Sequence, residues 1–399
     1  MRTVVVSIFI IFLSAVSFAR EVKVKVIASE ENIARYLANR EVVKYTSGTI
    51  VVSCGEQILP TEIGYGKIIE KKLLPTGETE FVFCYTIRDK HTFHIAGIVE
   101  DLFKNLFYYI IFPGMLFSIV FSILISWVDR KLTARIQYRQ GPPILQNLYD
   151  LLKLLSKEVV VPDIAQQWLF IISPIIAFSC AVLVSSIIWL VIISPSYSFV
   201  GDVIVVIYLM TIIPVMFILG GSASGNVIAG IGVSREIKLL LSYELPLITS
   251  LLVPMIKSSS VKFADITTAS VISSISGIVS FIVAIICFVA KVGIVPFDVS
   301  EAETELAGGI FIEYSGFLLG LIKITKQILF SITPLFLIIL YWFKGPWYSF
   351  ILKYAVVLII FIILRNTNPR LKIVQITKLF WYLVFPISLI SVVLALIGV

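Results

Sequence analysis

Histidine is nearly absent from this sequence, with two residues, and cysteine is scarce, with four among 399. His91 and His94 lie far from Cys180 and Cys287, and no CxxC or CxxxH spacing occurs. A zinc, haem or iron–sulfur site built by this chain alone is therefore not expected; electron carriers for any redox function belong to partners. Charge is scarce as well: charged residues make up 14% of the chain, against roughly a quarter in a soluble domain. Hydrophobic residues reach 58% and the mean hydropathy is +1.01. The apolar excess falls in blocks of about 20 residues, the length that crosses a hydrocarbon core of about 30 Å. The net charge of +7 accordingly points to membrane-flanking loops and not to a nucleic-acid partner.

Residues 1–19, MRTVVVSIFIIFLSAVSFA, place one Arg before a short apolar run and end on small residues around Phe18. That layout predicts a secretory signal cleaved after Ala19, or a short anchor helix if retained. Residues 20–95 change character. REVKVKVIAS, GTIVVSC and ETEFVFCYTI alternate apolar with polar or are rich in β-branched residues, and GYG and PTG punctuate them. They predict a small, mostly β domain with one helix near Glu30–Leu37. A signal sequence places this domain outside the cell, where Cys54 and Cys84 either pair or stay as two buried thiols. Closing that loop of about 30 residues would add roughly 3 kcal/mol to so small a core. Cys180 and Cys287, inside apolar tracts, read as small core residues.

The rest, residues 96–399, predicts an all-α membrane domain of about eight helices near 104–127, 167–193, 203–220, 237–256, 271–290, 310–342, 347–364 and 376–397. With the N-terminal domain outside, the loops and flanks on the cytoplasmic side hold thirteen bases: Arg130, Lys131, Arg135, Arg139, Lys153, Lys157, Arg235, Lys238, Lys291, Arg365, Arg370, Lys372 and Lys378. The outer loops after the first span hold four, Lys257, Lys262, Lys344 and Lys353. This asymmetry follows the positive-inside rule and predicts a multi-pass cell-membrane protein with its long, Gly- and Pro-containing loops in the cytoplasm. Gln146–Glu158 has apolar positions at helical spacing and predicts an amphipathic helix at the membrane surface. Elaborate inner loops and trimmed outer ones suit a chain that docks something on its inner face.

Ionisable residues at membrane depth are costly and usually functional, and four regions carry them. DRKLTARIQYRQGPP, from Asp129 to Pro143, sets one acid, four bases and a Gly-Pro-Pro break at the inner boundary; by charge alone it is equally a topogenic flank. In GVSREIKLLLSYELP, Glu236 and Glu244 are eight residues apart, about 80° past two full turns, and so share one side of a helix about 12 Å apart. Arg235 can pair with a carboxylate there, leaving a purely structural ion pair as the plain alternative. VPFDVSEAETELAGGIFIEYSG carries Asp298, Glu301, Glu303, Glu305 and Glu313 near a single base, Lys291. Acids so crowded repel one another, so some should titrate near neutral pH, which suits proton relay. Finally, Lys323 and Lys326 sit three apart inside the sixth span, on adjacent faces, and need acids or a hydrated cavity as partners. At about 33 residues that span must tilt or project beyond the bilayer.

DRKLTARIQYRQGPP, LLSKE, SREIKLLLSYELP, VPFDVSEAETELAGGIFIEYSG and NPRLKIVQITKLFW, in this order over about residues 104–397, resemble the eight-helix subunit of complex I that joins the hydrophilic arm to the ion-pumping arm, the respiratory NADH dehydrogenase subunit 1 family. The variants SREIKLLLSYE and PFDVSEAETEL, with lysines in the next span, resemble the version in energy-converting nickel–iron hydrogenases and related ferredoxin-dependent membrane reductases. Asp129 departs from the family pattern, which has Glu there. The resemblance implies a non-catalytic subunit without cofactors, whose partners are hydrogenase-like large and small subunits with nickel–iron and iron–sulfur centres, further iron–sulfur subunits and antiporter-like membrane chains. By motif position it implies a proton path of Asp298, Glu301, Glu303, Glu305, Glu313, Glu236 and Glu244, joined by Lys323 and Lys326 of the next span, and arm docking by Asp129, Arg130, Arg135, Arg139 and Arg235. A sulfur-reducing or quinone-reducing relative is the alternative. A stand-alone secondary transporter is the reading of another class, disfavoured because the sequence lacks an internal repeat.

Overall fold

The computed structural model describes residues 20–28, 67–73, 79–87, 107–195 and 198–398. The chain divides into two units, Met1–Glu100 and Asp101–Val399. In the first, strands β1 (Arg20–Ala28), β2 (Lys67–Leu73) and β3 (Thr79–Ile87) form an antiparallel sheet in the order β1-β3-β2. Val22 lies opposite Tyr85, and a bulge between Ile68 and Glu70 shifts the β2–β3 register. Cys84 lies on β3; the expected helix near Glu30–Leu37, the segment 1–19 and Cys54 lie outside the described residues.

The second unit is helical: α1 (Met115–Ile136), α2 (Gln146–Ser156), α3 (Gln167–Ile193), α4 (Asp202–Ala223), α5 (Val227–Ser258), α6 (Ile275–Val292), α7 (Gly316–Tyr341), α8 (Trp347–Thr367) and α9 (Ile373–Ile397). All but α2 are long and apolar enough to cross a membrane, eight among the described residues. Helices are the form apolar chain must take in lipid, because every backbone N–H and C=O has to be satisfied within the segment. The prolines inside α3, α4, α5 and α7 are tolerated where neighbouring helices shelter the freed carbonyls.

Helix α7 forms the centre and is almost wholly buried, while α1, α8 and α9 bury the least. Lipid offers little hydrophobic drive for this packing, so close contact and interhelical hydrogen bonds hold it. Ser118 and Ser185 share one at 2.6 Å between α1 and α3, and Thr249 and Ser388 share one at 2.7 Å between α5 and α9. Asp202, fully buried at the start of α4, accepts from the Ser198 hydroxyl and from the Phe263 amide, tying two loops at one end of the bundle.

Three helix limits differ from the sequence expectation, and each matters for the site. The first helix runs on to Ile136, placing Asp129, Arg130 and Arg135 on helix and not in a loop; Lys, Leu, Ala and Arg are good helix formers and the long basic side chains can reach the interface. The fourth begins at Val227, capped by the Asn226 side chain on the Ile228 amide, so Glu236 lies well inside it. The sixth starts only at Gly316 and has 26 residues, not 33. Before it the chain turns through Gly308, Gly309 and Gly316, all at positive φ, so the acidic segment is a loop folded against α5, broken only by single helical turns at Glu303–Leu306 and Gly309–Phe311.

Candidate functional site: a buried carboxylate–lysine chain

The motif segments gather at one end of the bundle, here called the motif end. The loop 293–315 is held there on three sides. Leu371 donates its amide to the Pro296 carbonyl at 3.1 Å, and Arg370 donates to Asp298 at 3.1 Å. Arg235 on α5 donates to Glu305 at 2.9 Å and to the Val299 carbonyl at 3.4 Å. Gly232 lets α5 approach: a Cβ there would stand 2.8 Å from the Ile310 nitrogen and 3.0 Å from the Ser300 oxygen. Gly309, at φ +52°, packs against the Ser300 carbonyl, a conformation and a clearance that only glycine combines.

This anchoring carries the acids inward. Glu301 pairs with Lys326 of α7, whose ammonium also lies 5.4 Å from the Phe311 ring centre. At the C-terminal end of α6, directly before the Pro296 loop, Lys291 pairs with Glu244 of α5 at 3.2 Å and lies 5.7 Å from the Tyr243 ring. The Lys291 side chain is 3% exposed and that of Glu244 18%. Between the two pairs is a cavity of about 20 Å³ lined by Glu236, Ser300, Glu301, Lys326 and Lys291, room for about one water molecule. Ser300 is hydrogen-bonded to Glu236. A second, wider cavity of about 250 Å³ adjoins the same pair and is lined by Asp129, Asp298, Glu301, Lys326, Gln327 and Arg365. Asp298, Glu301, Lys326, Glu236, Lys291 and Glu244 thus form one continuous ionisable series running from the loop into the helices.

Charges that deep persist only when paired. Glu301 faces Lys326, Glu244 faces Lys291 and Asp298 faces Arg370, and removing or adding one proton in any of these pairs leaves its partner uncompensated. Burial, reinforced by the negative charge of Glu301, pushes Asp298 up to about 6 despite Arg370 beside it. Asp298 therefore changes charge near neutral pH, at the point where the series meets the loop surface.

The other expected site residues fall elsewhere. Glu305 is exposed at the rim, on Arg235. Glu313 accepts from the Asn226 side chain, the residue that caps α5, and lines neither cavity. The side chain of Glu303 lies outside the described residues. Lys323 is exposed on the face of α7 toward Asp150 of α2, away from Lys326. Among the expected docking residues, Asp129 is buried and paired with Arg365 of α8, so its carboxylate belongs to the wide cavity and not to an outer surface. Arg130 pairs with Asp150 at 3.1 Å; Arg139 donates to Gln137; Arg135 is exposed. Cys180 and Cys287 are buried free thiols. Among the described residues no cluster of three or more His, Cys, Asp or Glu could hold a metal ion.

Sequence reasoning missed Lys291 as a member of the series, although a lone lysine in FVAKVGIVPF was a visible signal. It also missed Asn226, which the pattern of an Asn just before an apolar run would have marked as a cap. Arg365 and Arg370 count in the sequence only as flank charge; nothing local in RNTNPRLK shows that they reach carboxylates more than 70 residues away.

Residues 109–396 match the NADH dehydrogenase family. The H subunit of NADH-quinone oxidoreductase from Geobacillus sp. (strain WCH70) is 32% identical over 313 residues, spanning 71% of this chain and 92% of its own. Its counterpart from Geobacillus thermodenitrificans (strain NG80-2) is 30% identical over 291 residues, 67% of this chain and 86% of that one. Among solved structures, a chain of an archaeal respiratory membrane complex, the membrane-bound sulfane sulfur reductase, superposes with a TM-score of 0.65 at 25% identity. The match covers 70% of this chain and 96% of that one.

Proposed function

We propose that this chain, which belongs to the NADH dehydrogenase family, is the membrane anchor and proton-path coupling subunit of a complex I-like, ferredoxin-driven ion pump of the membrane-bound hydrogenase type. The observation that carries this reading is the buried series from Asp298 to Glu244, in which a water-sized cavity lined by Glu236, Glu301, Lys326 and Lys291 lies between the Glu301–Lys326 pair and the Lys291–Glu244 pair. Redox chemistry in partner subunits changes the charge at the loop end. The nearest pair then opens, its lysine turns to the next carboxylate, and the shift passes inward to antiporter-like neighbours. The motif end faces the cytoplasm, in line with its surplus of bases, and Arg130 and Arg235 help to seat the hydrophilic arm there. Residues 20–95 form an extracytoplasmic β domain behind a signal or anchor segment, with Cys54 bonded to Cys84.

The terminal acceptor is protons at a nickel–iron centre of a partner, as the hydrogenase-like motif variants imply. A second reading, reduction of a sulfur compound, is favoured by the likeness to the sulfane sulfur reductase; the NADH-quinone oxidoreductase relatives favour a quinone as the third. Purification of the tagged protein with every co-purifying subunit, followed by a nickel assay, separates them: nickel with iron–sulfur and antiporter-like chains supports the hydrogenase pump. The same partners without nickel shift the acceptor to sulfur or quinone. Full ion pumping by a Glu236→Gln, Glu244→Gln double variant would sink the coupling role itself.

A further inference from the structure

Away from the ionisable series, the outer face of the bundle carries a wholly apolar groove between α1 and α8. Its volume is about 360 Å³, and Leu132, Ile136, Ile359, Ile362 and Ile363 line it, with Asn366 and Thr367 at the motif end. That space is roughly twelve times the ~30 Å³ share of one water in the liquid, and apolar cavities stay dry. Four of the five aliphatic side chains are exposed on the outer surface, and α1 and α8 are among the least buried of the eight spans. The groove therefore opens to the surroundings of the bundle, where hydrocarbon is the solvent.

Its rim is basic. Gln137 donates to Asn366 at 3.1 Å and accepts from Arg139, which sets a guanidinium one side-chain amide from the groove. Arg135, adjacent to Ile136, is exposed as well. The acids near by are taken, Asp129 by Arg365 and Asp150 by Arg130. Tyr138, between these basic positions, is 100% exposed, an aromatic of the kind that lies at headgroup level. We propose that the groove holds an acyl chain of an anionic phospholipid whose phosphate meets Arg139 and Arg135. An apolar slot whose end at Asn366 is joined through Gln137 to Arg139, with Arg135 exposed in the last turn of α1, matches the two halves of such a lipid, whereas a partner helix needs the slot and not the charges. Arg135 and Arg139 thereby take a lipid phosphate in place of the hydrophilic arm as their partner.

The test uses the whole complex in nanodiscs containing phosphatidylglycerol or phosphatidylcholine, each with a photoactivatable diazirine in its acyl chain, and maps the labelled peptides. Expected are labels within residues 132–136 and 359–367 with a preference for phosphatidylglycerol, a preference that Arg139→Gln cuts about fivefold. Ile363→Trp, which fills the groove, should remove those labels, while Ile390→Trp on the exposed face of α9 should not. Equal labelling by the two lipids, or labels that survive Ile363→Trp, overturns the proposal. So does crosslinking of a photoreactive phenylalanine at position 363 to a partner subunit, which would make the groove a helix-docking site.

Discussion

Removing Glu244 or Lys291 one at a time, and then together, separates a structural ion pair from a relay. The pair joins α5 to α6 with the Lys291 side chain 3% exposed and that of Glu244 18% exposed. Glu244→Gln strands a lysine that is nearly out of reach of water, and breaking a buried pair from one side costs about 3–5 kcal/mol. Lys291→Met strands the more accessible carboxylate, so its cost should fall at the low end of that range. The double variant leaves no stranded charge and should return to within about 1 kcal/mol of the parent. For a unit of this size the single losses correspond to a fall in unfolding temperature of roughly 6–10 °C. Cys180 and Cys287 are buried free thiols, so a thiol-reactive dye mapped to those two residues by mass spectrometry reports unfolding of this chain within the intact complex. Proton pumping is followed in parallel with a pH-sensitive dye in vesicles. The relay predicts that the double variant regains stability but does not pump. If it pumps at the parental rate, or if it is as unstable as either single variant, the reasoning fails.

Three further outcomes follow from the same geometry. Asp298, held up to about 6 by burial and by Glu301, binds its proton more tightly in the folded chain than the ordinary value of ~3.9 allows. Its stabilising contribution is full below about pH 4 and is lost as pH rises through 6; an infrared carboxyl band titrating near 6 that vanishes in Asp298→Asn checks this, and a midpoint near 4 would refute it. Gly232→Val places carbon against Ile310 and Ser300 and should cost about 1–3 kcal/mol by pushing the Glu301 loop off α5, seen as lower thermal stability together with lost pumping. Lys326→Gln should abolish pumping by stranding Glu301, whereas Lys323→Gln, on the exposed face, should keep it and change stability by less than about 0.5 kcal/mol.

The number of spans and the composition of the site were written in the chain itself. Eight apolar blocks separated by loops of contrasting charge leave few folds open once lipid forbids an unsatisfied backbone, and carboxylates within such blocks announce themselves by their cost. Which carboxylate meets which base was not legible, because the partners come from segments far apart in the chain: Glu244 with Lys291, Glu301 with Lys326, Asp129 with Arg365, Asp298 with Arg370. Sequence spacing orders residues along one helix and says nothing of the rotation of the next. Lys323 and Lys326 illustrate the point, since three residues of helix turn one toward Asp150 and the other toward Glu301. The acidic loop was likewise readable as a run of charge and two glycines. Its path against α5 was decided by close backbone contacts at Gly232 and Gly309. Local chemistry therefore determined that this chain crosses a membrane and carries protonatable groups within it, and only the packing of α5, α6 and α7 around one small cavity made those groups a connected series.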